Sequence, residues 1–341
     1  MVFGSVAGTA VTRSRSLLNL YGLARRQWSH LEMSSGDGAT TARSQSRLVA
    51  PTGFPRSIRA VLPWRLRVCF WALALILGFL QVWANRHDVG GDGVNYLDMG
   101  DAYVRGDWKT AINGLWSPAY SWILGLALRV TRPSGYWEFT VVHIVGFAVF
   151  LVALRCFEFY LTELVTSQKR DADSAAAAGI VAPTWTWIAL GYTLFLWACL
   201  DLIGLVWVNP DVCVAGIVFL AAGLLLRIQK RAASWKCFAL LGLVLGLGYL
   251  MKSVMFVIAF IFLAASVLAA GSYRRAMPRV AVGLTIFAAL ASPLIIALSM
   301  TKGRLTIGDA GRLNYAWYVL GVPKRHWRGQ PQRAYFRRLF L

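Results

Sequence analysis

Residues 212–270 read VCVAGIVFLAAGLLLRIQKRAASWKCFALLGLVLGLGYLMKSVMFVIAFIFLAASVLAA, three apolar runs broken by one basic hinge and one solitary lysine. Val212 to Ile228, Cys237 to Met251 and Val254 to Ala270 are the runs; Arg227 to Lys236 is the hinge, and Lys252 stands alone between the last two. Working outward, Leu66 to Ala84, Trp137 to Tyr160, Trp185 to Trp207 and Val280 to Met300 repeat the pattern. Most of these segments have the roughly 17 to 23 residues that cross a hydrocarbon core of about 30 Å. The whole chain is 57% hydrophobic and only 15% charged, a balance rare in soluble domains. The expected fold is all-α: a polytopic membrane helical bundle of about seven transmembrane helices. The apolar stretch Pro118 to Val130 is too short to cross and is expected to lie in the interface or re-enter, within a long first loop.

A net charge of +20, from 35 basic and 15 acidic residues, invites a nucleic-acid reading. The cations instead sit before the first run, in short connections and in the tail, as the positive-inside rule and attraction to anionic lipid require, so no nucleic-acid partner is expected. With seven spans the basic connections Arg56 to Arg67, Lys169-Arg170, Arg227 to Lys236 and Arg274 to Arg279 all fall on one side. The rule makes that side cytoplasmic, together with the N-terminus. Counting Pro118 to Val130 as a further span would move the last three connections across. Residues 1–60 are Arg- and Ser-rich, nearly free of acids, and expected to be disordered. They resemble a transit peptide in composition, but the favoured reading is that Met33 is the true initiator. Residues 61–300 form the membrane module and 301–341 a basic tail on the non-cytoplasmic side. Cys69, Cys156, Cys199, Cys213 and Cys237 show no metal-ligand spacing and pack as small apolar groups.

The non-cytoplasmic side receives the loop Asn85 to Tyr136, the turn Asn209-Pro210-Asp211, the tail from Thr301 and the surface around Lys252. It also holds most of the acids placed for chemistry: Asp88, Asp92, Asp98, Asp101, Asp107 and Asp211. After Gly90-Gly91-Asp92-Gly93, the spacing of Val94, Leu97, Asp98 and Asp101 suits a short surface helix with Asp92 just before it. Asp92 is then either a simple helix cap or a metal ligand or proton acceptor. Asp211 is likewise either the cap of a helix opening at Val212 or the second carboxylate of a shared cavity. Lys252 either snorkels or meets a lipid phosphate. Asp201, two turns inside the third run, is expected as interior glue, and Arg155 with Glu158 as a structural pair. His87, His143 and His326 form no cluster, and no Cys-His, Ser-His-Asp or phosphate-loop pattern occurs.

The order Asp92, Tyr96, Gly106-Asp107-Trp108, Ser117-Pro118-Ala119-Tyr120, Asn209-Pro210-Asp211 across residues 60–320 resembles the GT-C superfamily of polyprenyl-phosphate-sugar-dependent glycosyltransferases. The nearest branch in pattern holds lipid A aminoarabinose transferases, protein O-mannosyltransferases and Rgt-type lipopolysaccharide sugar transferases. The resemblance implies a bacterial inner-membrane enzyme transferring a sugar from a polyprenyl-phosphate donor to a lipid, glycan or protein acceptor, with inversion. It makes Asp92 the catalytic carboxylate, Asp211 the second acid, and both candidates for a divalent cation, Mg²⁺ or Mn²⁺. Lys252, Tyr96, Asp98, Arg304 and Arg312 become candidates for substrate binding. Many members carry an Asp-Glu pair where this chain has Asp92-Gly93, and members are usually longer, which raises the expectation of an inactive fragment. A transporter or flippase of a lipid-linked substrate and a non-catalytic membrane subunit are the alternatives. Acids loaded onto outer loops, with only Asp201 inside a run, favour the enzyme.

Overall fold

The computed structural model describes residues 56–174, 183–230 and 234–321. The expected disorder of residues 1–60 falls outside them, except that residues 56–60 already belong to the first helix. All regular elements among the described residues are helical: α1 (Arg56–Ala84), α2 (Gly91–Arg105), α3 (Trp108–Ala111), α4 (Pro118–Thr131), α5 (Gly135–Ser174), α6 (Thr184–Trp197), α7 (Asp211–Lys230), α8 (Trp235–Met251), α9 (Met255–Ala269), α10 (Tyr273–Lys302) and α11 (Ala310–Tyr318). A π-helical turn, Ala198–Ile203, ends α6. Five stretches are long and apolar enough to cross a membrane: Pro63–Ala84, Gly135–Gln168, Thr184–Ile203, Asp211–Lys230 and Tyr273–Lys302. α8 and α9 are apolar but shorter.

Side-chain contacts set the direction of each long helix. Arg67 reaches Glu158 while Gly78 lies against Phe150, so α1 and α5 are antiparallel. Phe70 stacks on Tyr192 and Gln81 bonds to Leu200, so α1 and α6 run together. Gly216 abuts Ala153 and Arg227 pairs with Glu163, making α5 and α7 parallel. α8 and α10 are also parallel and approach to backbone contact: a Cβ on Gly242 would sit 2.1 Å from the Gly283 carbonyl oxygen. Helices that lack hydrophobic pressure from water pack by such close approaches. One apolar cluster joins α7 to α10, a second joins α1, α5 and α6 to the start of α7, and a third lies under α2 and α4 at one end of the bundle.

Large apolar side chains such as Ile76, Leu80, Val152, Ile261 and Leu268 face outward along the helices, which in water would be an aggregation surface and in lipid is the expected one. Exposed Trp and Tyr mark both ends. Trp64, Trp185, Trp235 and Tyr273 stand where α1, α6, α8 and α10 begin; Trp83, Tyr136, Trp137 and Trp207 lie near the opposite ends. These are the belts that amphipathic rings form at membrane interfaces. Along α1, Trp64 and Trp83 are nineteen positions apart, roughly 28 Å at 1.5 Å per residue and close to the thickness of a hydrocarbon core. The chain is membrane-embedded.

Two local expectations change. The third apolar run stops at Ile203 rather than Trp207 because Gly204 turns left-handed (φ 74°) and Gln81 takes over the freed groups. Its amide donates to the Leu200 carbonyl at 2.7 Å, and its oxygen accepts from the Leu205 N–H at 3.2 Å. Asp201 therefore lies in a final turn, exposed, accepting from the Trp197 indole at 2.9 Å; it is not interior glue. The segment from Pro118 is α4, fourteen residues that do not qualify as a span, and it packs against α2 through Gly100 and Gly125. A Cβ on Gly125 would meet the Gly100 carbonyl oxygen at 2.6 Å, so the two backbones touch and α2 is fixed in height and rotation.

Candidate functional site

A cavity of about 1220 Å³ opens at the end of the bundle where α1, α6, α8 and α10 finish and α5, α7 and α9 begin. Its wall comes from five separate parts of the sequence, one of them the loop with Asn113 and Leu115 to Ser117. α2 supplies Asp92, Asn95 and Tyr96; the turn before α7 supplies Asn209 to Asp211; the α8–α9 turn supplies Lys252 to Val254; and residues 305–318 supply Arg312 and Trp317.

α2 begins two residues earlier than the sequence suggests, with Gly90 as N-cap, so Asp92 lies in the first turn rather than before it. Asn95 and Tyr96, three and four positions on, share its face by helical periodicity. Asp98 is six positions on, about 240° around, and does not line the cavity; its expected part in substrate binding is not supported by its position. Tyr96 is buried, with its ring edge-on to Tyr120 at 5.2 Å. Burial, reinforced by the charges of Asp92 and Asp211, pushes its phenol well above the ordinary range, so it is a proton-bearing donor at neutral pH. Asp92, Tyr96 and Asp211 all line the same cavity.

Asp211 is the first residue of α7, its N–H donating to the Asn209 side chain at 3.0 Å in a local turn. Its carboxylate pairs with the Lys252 ammonium across the gap between the α7 start and the α8 end. Both groups are more than a third exposed, so the pair is solvated by the cavity. Nothing in the sequence indicated this pairing. Asp92 has no salt-bridge or hydrogen-bond partner for its carboxylate among the described residues. The donor set does not suit a resident divalent cation. Asp211 is already neutralised by an ammonium, and no three His, Cys, Asp or Glu side chains gather as ligands among the described residues. Asp211, half of the expected Asp92–Asp211 cation pair, is engaged by the Lys252 ammonium.

The segment after α10 covers the α8–α9 turn. Asp309, with 9% of its side chain exposed, accepts from Arg304 at 2.5 Å and from Lys302 at 3.1 Å. Burial alone would raise its pKa; the hydrogen bonds and charges of Lys302 and Arg304 outweigh it and hold the carboxyl below the usual range. The Asp309 N–H donates to the Gly114 carbonyl at 2.6 Å, and the Tyr249 hydroxyl donates to that of Ile307 at 2.9 Å. Arg304 thus fastens this segment and is not among the lining residues, whereas Arg312 lines the cavity as expected. Asp309 itself was missed; its one sequence signal is an acid in the short Gly308-Asp309-Ala310 stretch just after two cations. Asp107 caps α3 by accepting from the Thr110 N–H; the Thr110 side chain and then that N–H keep its carboxyl below the ordinary range, and it stands outside the cavity.

No family model, curated protein or solved structure matches the chain.

Proposed function

We propose that this chain is a membrane glycosyltransferase of the GT-C type, moving a sugar from a polyprenyl-phosphate donor to a hydroxyl acceptor at the non-cytoplasmic mouth of the bundle. The observation that carries the reading is the gathering of Asp92, Asp211, Lys252 and Arg312, from four distant segments, around one cavity at the end opposite the basic connections. Asp92, without a cation partner among the described residues, is the general base: it takes the proton from the acceptor hydroxyl as the oxygen attacks the anomeric carbon. The bond to the polyprenyl phosphate breaks on the opposite face, so configuration inverts. Lys252 and Arg312 stabilise the charge that grows on the leaving phosphate. Asp211 holds the Lys252 ammonium in place, and Tyr96 donates a hydrogen bond to the bound sugar or phosphate.

In this reading α8 and α9 also cross the bilayer, bringing the spans to seven and the N-terminus to the cytoplasm. Their shortness has a physical reason: residues 306–309 lie over the α8–α9 turn, so that turn forms the cavity floor and need not reach the outer plane. The acceptor class and the bacterial inner membrane follow from the resemblance alone. The deciding experiment supplies membranes bearing the full chain with a labelled polyprenyl-phosphate sugar and an acceptor lipid extract. Transfer that requires Asp92 supports the reading. Movement of the label across the bilayer without a new glycosidic bond would replace it with a flippase.

A further inference from the structure

The opposite, basic end of the bundle carries a second cavity, of about 360 Å³, bounded by α1, α5 and α7. Its walls hold Arg67, Arg155 and Arg227 with Glu158 and Glu163, and Lys230 stands beside Glu163. Four cations thus face two carboxylates. Glu158 accepts from Arg67 at 3.3 Å and from Arg155 at 2.5 Å; Glu163 accepts from Arg227 at 2.7 Å and from Lys230 at 2.9 Å. Each carboxylate is already matched, and donors remain. Among the described residues Arg155 uses only Nη1 and Arg227 only Nε, so both present further N–H groups of a planar fork suited to phosphate oxygens. The Arg227 guanidinium carbon lies over the Phe159 ring, 4.5 Å from its centroid.

Position decides which phosphate. Ile144, Ala148, Val152 and Arg155 are all exposed and lie at helical spacing along one outward stripe of α5. Trp137, in the aromatic belt at the far end, is eighteen positions from Arg155, roughly 27 Å along the helix. Arg155 therefore sits at the second interface, where a lipid-facing apolar stripe ends in a surplus of cations. We infer that this cavity is a binding site for the phosphate headgroup of an anionic membrane lipid, whose acyl chain lies along the Ile144–Val152 stripe. The site is independent of any chemistry at the other end.

Native mass spectrometry of the detergent-solubilised full chain tests it, with phosphatidylglycerol, phosphatidylcholine and inorganic phosphate as separate probes. Phosphatidylglycerol is expected to be retained over phosphatidylcholine. Arg155→Gln, which leaves Glu158 paired with Arg67, is expected to reduce that retention about fivefold, the ratio matching about 1 kcal/mol per basic side chain. Arg155→Lys should recover part of it. Arg65→Gln, a change at the same end outside the cavity, should leave it unaltered. Equal losses from Arg65→Gln and Arg155→Gln, or no loss from Arg155→Gln, would overturn the site. Displacement of the lipid by millimolar inorganic phosphate would make it a soluble-phosphate site instead.

Discussion

At the basic end of the bundle Glu158 lies between Arg67 and Arg155, and Glu163 between Arg227 and Lys230. At the acidic end Asp211 meets Lys252 alone, and the Asp92 carboxylate meets no cation among the described residues while facing a cavity three times larger. Both ends sit at an interface where water screens charge, so neither arrangement is explained by desolvation alone. The difference is in completeness. Matched carboxylates tie α5 to its neighbours and have no free oxygen to offer chemistry; an unmatched carboxylate beside a tethered ammonium has work available to it.

The largest expected effect tests that contrast at Asp92. Asp92→Asn keeps the shape and should cut transfer about 10²- to 10⁴-fold with no change in thermal unfolding; a single-turnover assay on membranes reads it. Retention of full transfer would remove the carboxylate from the mechanism. Lys252→Met should cost about 10²- to 10³-fold in kcat, as loss of a preorganised donor does, with Asp211→Asn costing less because the ammonium remains. An equal loss from both would instead make the pair purely structural.

The third test moves the carboxylate rather than removing it. Gly125→Val drives a side chain into the Gly100 backbone and should destabilise the chain by about 1–3 kcal/mol, read as a lower unfolding midpoint, while displacing α2 and lowering transfer. At the basic end, Glu163→Gln should cost about 1–3 kcal/mol, because Lys230 and Glu163 are both largely buried and the ammonium loses its counter-ion, yet leave transfer unchanged. A loss of transfer there would break the division between the two ends.

The smallest effect is a pH dependence at the covering segment. Asp309 has its pKa lowered in the folded chain, so its contribution is present above the ordinary carboxylate value, near 3.8, and is lost as pH falls through the lower folded value. Hydrogen exchange of residues 305–311 should be flat from pH 5 upward once corrected for intrinsic rates, and rise only in stronger acid. Asp309→Asn should raise it from pH 5 upward and merge with the wild type in strong acid.

Part of the site was legible from chain position. Asp92, Asp211 and Lys252 each end an apolar run or begin a helix on the same side of an alternating bundle, and parity alone brings such ends together. Asp98 shows where that reasoning fails: it lies in the right loop, but helical rotation carries it off the cavity face. Arg304 was in the right segment as well, and Asp309 claims it. The Gly100–Gly125 contact, which fixes the height of Asp92, joins α2 to α4 by shape rather than by any motif.

By itself the sequence determined that this is a helical membrane protein and which ends of its helices lie together. Those are sums over local properties: apolar length against bilayer thickness, and the side to which cations are confined. The tertiary structure decided which charges are satisfied and which are not. Whether Lys252 meets Asp211 or a substrate, and whether Arg304 faces the cavity or its cover, depends on helix rotations and backbone distances of a few ångströms, fixed by packing between segments far apart in the chain.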